Sequence, residues 1–293
     1  MENLSNISVV KNLLAKYGFT FSKSLGQNFI INPSVCPKMA QLSGAGKGVG
    51  VIEVGPGFGV LTNELAQIAD KVVCIELDKR LLPVLAETLS EYQNVKIING
   101  DVMKLDLQQI IKSEFDGMEV VVCANLPYYI TTPVIMRFLE EHLPISALTV
   151  MVQKEAARRI CSPVGTRDCG AVTAAVNYYS EPKLLFDVSA GSFMPPPKVD
   201  SSVIRLDISD KPRVDVQDER TFFAVVKAAF AQRRKTLPNT LCSGLSFTKA
   251  EIGQILTDCG ISLTARAEQL TLQELAVISD RVNEIKNSRN LEL

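Results

Sequence analysis

Two groups of residues have types and spacings that could do chemistry. One is Asn125-Leu126-Pro127-Tyr128, which closes the apolar run "EVVVCA". The Asn125 side-chain oxygen and the Leu126 carbonyl are acceptors, and Pro127 biases Leu126 towards an extended backbone, restricting where that carbonyl points. Tyr128 adds a flat face on which a base can stack, worth about 1–3 kcal/mol. Such a set suits an aromatic amine such as the 6-amino group of adenine. Its lone pair is delocalised into the ring, and acceptors holding both hydrogens favour a pyramidal, more nucleophilic nitrogen. Read alone, the same four residues are also a plain turn, since Asn and Pro are common there.

The other group is "VIEVGPGFGVLT", where Gly55, Gly57 and Gly59 stand between a strand pattern and a helix pattern, as a tight turn approaching a ligand requires. The third glycine of a dinucleotide fingerprint would fall at Val60, which argues against nicotinamide and flavin cofactors. Three acids keep the glycines company. Glu53 precedes them, Glu76 ends the next strand where a carboxylate can hold both ribose hydroxyls, and Asp101 ends the third, suited to an adenine amine. Each acid alone is readable as a helix cap or a solvated strand end. Converging on one crevice, they repel phosphate and suit a ligand carrying an ammonium and a sulfonium, which points to S-adenosylmethionine.

Attack by a neutral nitrogen on a sulfonium methyl needs no strong base, because the proton can leave once the nitrogen is cationic. Positioning then carries most of the catalysis, up to about 7–11 kcal/mol. The sole histidine, His142, reads as a helix C-terminal residue, and without a second histidine no metal site is expected.

The elements that must hold these residues are legible as alternating strands and helices. Strand patterns at 49–54, 71–76, 95–99, 119–124 and 147–152 alternate with amphipathic stretches near 60–69, 79–92, 105–113 and 132–142. This predicts an α/β, Rossmann-like, doubly wound sheet, mostly parallel, in which all the candidate residues lie at the strands' carboxyl ends. "KLLFDVSAGSFMPPPKVDSSVIRLDI" reads as two further strands around a proline loop, an antiparallel addition at the sheet's end. Polar "SDKPRVDVQDE" then precedes helical patterns, with capping boxes at Thr248/Glu251 and Thr271/Glu274. The expected division is residues 1–212, a catalytic domain with a basic N-terminal segment, and residues 213–293, a small all-helical domain.

The 293 residues, 46% hydrophobic and 22% charged, have globular composition, with no apolar run long enough to span a membrane and no export signal, so a cytoplasmic protein is expected. Seven cysteines without a C-x-x-C pair are expected to be reduced and structural. A net charge of −1 argues at first against a nucleic-acid partner, but the charge is segregated. The first 50 residues hold five lysines, Lys23 among them, and one acid, and further cations cluster at Lys154, Arg158, Arg159 and at Arg233-Arg234-Lys235. These are either solvated faces or one anion-binding surface.

Seven ordered motifs, "KSLGQNF", "EVGPGFG", "IELD", "NGDV", "NLPYY", "FMPPPKVDS" and "FAQRRKTL", span almost the whole chain, which resembles the ribosomal RNA adenine dimethyltransferases, most closely those of the small subunit. The resemblance implies that Asn28 and Ile30 lie against the methionine end of S-adenosylmethionine, Gly55 and Gly57 approach it, Glu76 binds its ribose, and Asp101 with Val102 its adenine. It further implies that Asn125 and Leu126 hold the target amine, and that Tyr128 and Phe193 stack on the flipped base. The basic N-terminal segment and Arg233-Arg234-Lys235 would serve RNA phosphates. The implied reaction dimethylates two adjacent adenosines near the 3′ end of small-subunit rRNA, within an assembling subunit, and the expected state is a monomer. Cys169, Pro238 and Ala267 depart from the family pattern, outside the proposed reaction centre. Two alternatives stay open: a large-subunit rRNA methyltransferase of the antibiotic-resistance type, and a ribosome-assembly factor without turnover.

Overall fold

The computed structural model describes residues 4–20 and 26–291. Its centre is a seven-stranded sheet of β1 (Val49–Val54), β2 (Lys71–Glu76), β3 (Val95–Asn99), β4 (Glu119–Asn125), β5 (Ala147–Gln153), β6 (Ser180–Val188) and β7 (Ser201–Ile208), in the order β3-β2-β1-β4-β5-β7-β6. The first five strands are parallel, and β7 runs antiparallel to β5, from Ala147 opposite Asp207 to Gln153 opposite Ser201. The sheet is the expected doubly wound one, its strand order reversing between β1 and β4, where such sheets open a crevice at their carboxyl ends.

Apolar residues on both faces explain the parallel arrangement. Along β1, Val51 and Ile52 point to opposite faces and neither is exposed, as is true of the adjacent pairs Val72/Val73 on β2 and Val122/Cys123 on β4. One face packs against α2 (Val35–Leu42) and α3 (Val60–Ile68), where Met39, Leu61 and Leu65 meet Val51, Cys74 and Val121. Each such side chain contributes about 1.5–3 kcal/mol by leaving water. The first helix, α1 (Ile7–Lys16), is capped by Asn6, whose side chain accepts from the Ser8 N–H, and it packs through Val10 and Leu13 onto Leu81, Val84 and Leu85 around α4 (Leu82–Thr88).

Two helix-patterned stretches differ from the sequence expectation. The stretch 79–92 is a short 3₁₀ turn, Lys79–Leu81, followed by α4, because Pro83 lies in the helix's first turn. After α5 (Leu107–Glu114), helix α6 spans Tyr128–Glu140 and so begins four residues before position 132. Pro133 lies inside α6, where it removes a helix N–H and obscures the pattern of the first turns. His142 follows α6 with φ 47°, the left-handed conformation usual where helices end.

Contacts divide the chain into two compact units, residues 1–157 with 183–208, and residues 158–182 with 209–293. The second unit therefore includes a stretch that lies before the sequence break at 212/213. Helix α7 (Lys154–Ile160) crosses the division and is followed by α8 (Ala171–Tyr179). The reason is aromatic packing: Tyr178 on α8 stacks on Phe222 of α9 (Glu219–Ala229) at 4.8 Å between centroids, and Tyr179 on Phe223 at 5.4 Å. Helices α10 (Leu237–Gly244), α11 (Lys249–Asp258) and α12 (Leu272–Leu291) complete this unit. Thr248 and Glu251 form a reciprocal capping box, and Thr271 pairs with Glu274 in the same way.

Candidate active site

The carboxyl ends of β1 to β4 open onto a cleft lined by the glycine loop after β1, by Glu76, by Asp101 and Val102, by Asn125 to Tyr128, and by residues 26–30 with Phe193. All the expected cofactor and amine residues thus share one cavity. Residues 29–30 enter it by an antiparallel two-residue ladder, Phe29 opposite Met194 and Ile30 opposite Phe193.

The glycine loop has a steric basis. Gly55 and Gly57 have φ of 70° and 61°, and Gly59 of 85° at the N-cap of α3. A Cβ on Gly57 would lie 2.9 Å from the Phe29 ring, which stacks on Phe58 at 4.1 Å. At Gly55 a Cβ would meet nothing within 4 Å and would project into the cleft.

Acidity dominates this end of the cavity. Glu76 is 5% exposed, and its carboxylate accepts from the Asp78 N–H at 2.7 Å. Burial pushes its pKa up to about 7, against the pull of the Asp78, Gly57 and Leu77 N–H groups. Asp78 accepts from the Gln27 side chain at 2.9 Å and from Arg80 at 2.7 Å, and the Arg80 guanidinium holds it below the usual carboxylate range. Glu53 is 1% exposed with Cys74 Sγ 3.6 Å away, and burial raises its pKa to about 8. Asp101, half-buried, accepts from the Met103 N–H at 2.9 Å. Arg137 of α6 donates to the carbonyl of Val102, and also to that of Leu105 at 2.7 Å, pinning the loop after β3.

Among the described residues, no Lys, Arg or His lines the cleft, although Glu53, Glu76 and Asp101 do. A cationic ligand is what such a site lacks, and S-adenosylmethionine fits it: the glycines leave room for a close approach, and Glu53, Glu76 and Asp101 supply acids to the lining.

At the other end, Pro127 is the N-cap of α6, with φ −56° and ψ 134°, and Tyr128 is the helix's first residue. The Asn125 amide nitrogen donates to the Asn28 carbonyl at 3.4 Å, which leaves its oxygen as the acceptor. Leu126 also lines the cleft and is 2% exposed. The Tyr128 hydroxyl is 2.6 Å from the Ser201 hydroxyl. Phe193 lines the cleft yet is only 3% exposed, packed in the same core cluster as Ile30 and Met39.

Sequence reasoning missed Gln27, Tyr129, Ser201 and Arg137. Gln27, Tyr129 and Ser201 lie inside the quoted motifs "KSLGQNF", "NLPYY" and "FMPPPKVDS" without having been given a role, whereas Arg137 lies in none of them.

Of the candidate phosphate contacts, Arg158, Arg159, Arg233, Arg234 and Lys235 belong to the second unit and are exposed. Lys23 lies outside the described residues, and Lys154 is paired with Asp187 at 2.6 Å. The trio 233–235 lies beyond the end of α9, on its connection to α10, where Arg233 donates to the Arg167 carbonyl at 2.9 Å. Among the described residues no cluster that could hold a metal occurs, no helix is long and apolar enough to cross a membrane, and all seven cysteines are free thiols.

Sheet order, glycine loop and acidic strand ends together define a Rossmann-like methyltransferase that uses S-adenosylmethionine. The family model described as ribosomal RNA adenine dimethylase matches residues 18–284, and the chain belongs to that family. It is 47% identical over 283 residues to the ribosomal RNA small subunit methyltransferase A of Alkaliphilus oremlandii, covering 96% of this chain and 99% of that one. Among solved structures, a dimethyladenosine transferase from Plasmodium falciparum superposes with a TM-score of 0.72 at 23% identity, covering 89% of this chain and 98% of that one. The 23S rRNA methyltransferase ErmE does so with 0.65 at 24% identity, covering 87% and 100%. At these identities the two structures speak to the fold alone.

Proposed function

We propose that this enzyme dimethylates the 6-amino groups of two adjacent adenosines near the 3′ end of small-subunit rRNA, within an assembling subunit. The observation that carries the reading is the continuity of the cleft, with the acidic glycine bay at one end and Asn125 to Tyr128 at the other. S-adenosylmethionine, when bound, supplies a methyl group on a sulfonium.

The chain's own residues supply the rest. The Asn125 oxygen and the Leu126 carbonyl each accept one hydrogen of the amine, which shifts the nitrogen's lone pair out of conjugation. Tyr128 stacks on the extruded base and offsets the few kcal/mol of unstacking. Phe193, almost wholly buried, serves as the floor against which that base rests. Asn28 and Ile30 border the methionine end, Gly55 and Gly57 give the close approach, Glu76 takes the ribose hydroxyls, and Asp101 with Val102 the adenine. The proton leaves to solvent after transfer, which agrees with the absence of histidine from the cleft lining.

Arg158, Arg159, Arg233, Arg234 and Lys235, with Lys23, contact RNA phosphates in this reading, in which residues 1–212 form the methyltransferase domain with its basic N-terminal segment and residues 213–293 a helical domain. A cytoplasmic monomer completes it. The 47% identity to a small-subunit enzyme over nearly the whole chain favours that substrate over the large subunit. Labelled S-adenosylmethionine offered in parallel to undermethylated small subunits, large subunits and naked rRNA tests the reading. Label is expected in the small subunit, on adenines near the 3′ end. Label in the large subunit alone overturns the substrate, and no label anywhere, with the donor bound, turns the protein into an assembly factor.

A further inference from the structure

Asn125 can hold the target amine only one way round. Its side-chain amide has an acceptor at one end and donors at the other, the two ends are nearly alike in shape, and a donor turned to the amine would face the amine's own hydrogens. What decides between them is the group behind the amide. This is the Asn28 carbonyl, which accepts from Asn125 Nδ2 at 3.4 Å and can only accept. The orientation of the reacting amide therefore depends on where the Asn28 peptide is held.

That peptide is gripped on both sides. Before it, the Gln27 side chain donates to Asp78 Oδ2 at 2.9 Å. Asp78 is buried and itself fixed at two ends. Its N–H donates to the Glu76 carboxylate at 2.7 Å, and the Arg80 guanidinium forks onto its carboxylate, with Nε 2.9 Å from Oδ1 and Nη2 2.7 Å from Oδ2. Such a two-pronged ionic contact fixes direction as well as distance. After the peptide, Phe29 stacks on Phe58, and Phe19 meets these two rings edge-on at 6.1 and 5.6 Å. The Arg80 guanidinium lies over the Phe19 ring at 4.8 Å, so the polar and the aromatic grip share one residue. A line of contacts thus runs from Glu76, by Asp78 and Gln27, to Asn28 and Asn125.

We propose that Gln27, held by Asp78, is a positioning residue for methyl transfer: it keeps the Asn28 carbonyl behind Asn125, so that the amide oxygen and not its NH2 meets the amine. This rests on the reading of Asn125 as the amine's acceptor. Because Asp78 also holds Glu76, the ribose residue of the same reading, the donor end and the amine end of the cleft share one support. Without the Gln27 donor the Asn28 peptide can shift and the amide can turn, which holds part of the bound substrate in an unproductive pairing. Losing one hydrogen bond of this kind corresponds to a fall in rate of about tenfold.

Single-turnover transfer from saturating S-adenosylmethionine to undermethylated small subunits, with donor affinity by calorimetry and thermal melts alongside, tests the assignment on the full chain. Gln27→Met keeps the length of the side chain and removes the donor. It is expected to slow transfer about tenfold, while donor affinity changes by less than about threefold and the melting temperature stays near that of the wild type. Gln27→Glu sets a second carboxylate against Asp78 and is expected to be slower still. Combining Gln27→Glu with Asp78→Asn reverses donor and acceptor across the same contact and is expected to recover most of the rate lost in Gln27→Glu alone, a rescue that a role in folding only does not give. A wild-type rate in Gln27→Met, a loss that lies in donor affinity alone and vanishes at saturation, or a double variant no faster than Gln27→Glu overturns the assignment. No transfer by the wild type to any subunit, with the donor bound, overturns instead the reading on which it rests.

Discussion

The hydroxyl of Tyr128, first residue of α6, lies 2.6 Å from the hydroxyl of Ser201, first residue of β7. The contact joins the turn after β4 to the antiparallel part of the sheet and fixes the direction of a ring meant to carry a base. Burial raises the phenol's pKa, so it acts as a neutral partner and not as a phenolate.

Tyr128→Phe and Ser201→Ala should each cost about 1 kcal/mol of stability, the net value of one half-buried hydrogen bond, and slow transfer only several-fold. Tyr128→Ala removes the stacking face and should lower kcat/KM by roughly 5- to 150-fold, the equivalent of about 1–3 kcal/mol. Initial rates on undermethylated subunits separate ring from hydroxyl. If Phe is as slow as Ala at position 128, stacking is not what the tyrosine contributes.

Asn125→Ala should abolish transfer while leaving donor affinity largely intact. The side chain donates to the Asn28 carbonyl, so its removal frees that carbonyl as well as deleting the acceptor aimed at the amine. Single-turnover rates with donor affinity measured alongside would check this, and a normal rate in the mutant would take Asn125 out of the mechanism.

Gly55→Ala and Gly57→Ala test the glycine loop from two sides. Both place a side chain at positive φ, at a cost of about 1 kcal/mol or more. At Gly57 the new methyl meets the Phe29 ring at 2.9 Å and disturbs the Phe29–Phe58 stack, so the melting temperature should fall further. At Gly55 it enters open space in the cleft, so donor affinity should suffer more than stability. Thermal melts paired with calorimetry distinguish them, and equal melting losses with unchanged donor binding in both would remove the loop from the cofactor site.

Much of this was legible in the chain itself. The five parallel strands could be read because each is a short apolar run bounded by polar residues, and the glycines and acids because they end those runs. Local pattern fails where a partner is remote. Phe193 stands in a polar proline loop, yet it pairs with Ile30 in a two-residue ladder too short to leave a sequence pattern, so its depth of burial beside the cleft was not legible. Residues 158–182 join the helical unit through Tyr178 and Tyr179, whose aromatic partners Phe222 and Phe223 lie more than forty positions on. Arg137 falls in the amphipathic stretch near 132–142, and nothing near it in sequence announces the carbonyls it holds.

Those carbonyls make Arg137 the cofactor pocket's support from behind. It reaches from α6 to the main chain of Val102 and Leu105, ordering the loop that carries Asp101, and its Nε donates to Glu141 at 2.5 Å. Its side chain is 13% exposed, so these bonds work in a partly desolvated setting where charge-assisted hydrogen bonds are worth about 1.5–3 kcal/mol. Arg137→Ala should therefore lower stability by about 2 kcal/mol and weaken donor binding about tenfold. Because Arg137 lies outside the amine end, kcat at saturating donor should change little, the reverse of the Asn125→Ala pattern. Arg137→Lys keeps the charge but lacks the planar fork that spans two carbonyls, and should recover stability only in part. Donor affinity unchanged in Arg137→Ala would mean that the Asp101 loop holds its shape without this prop.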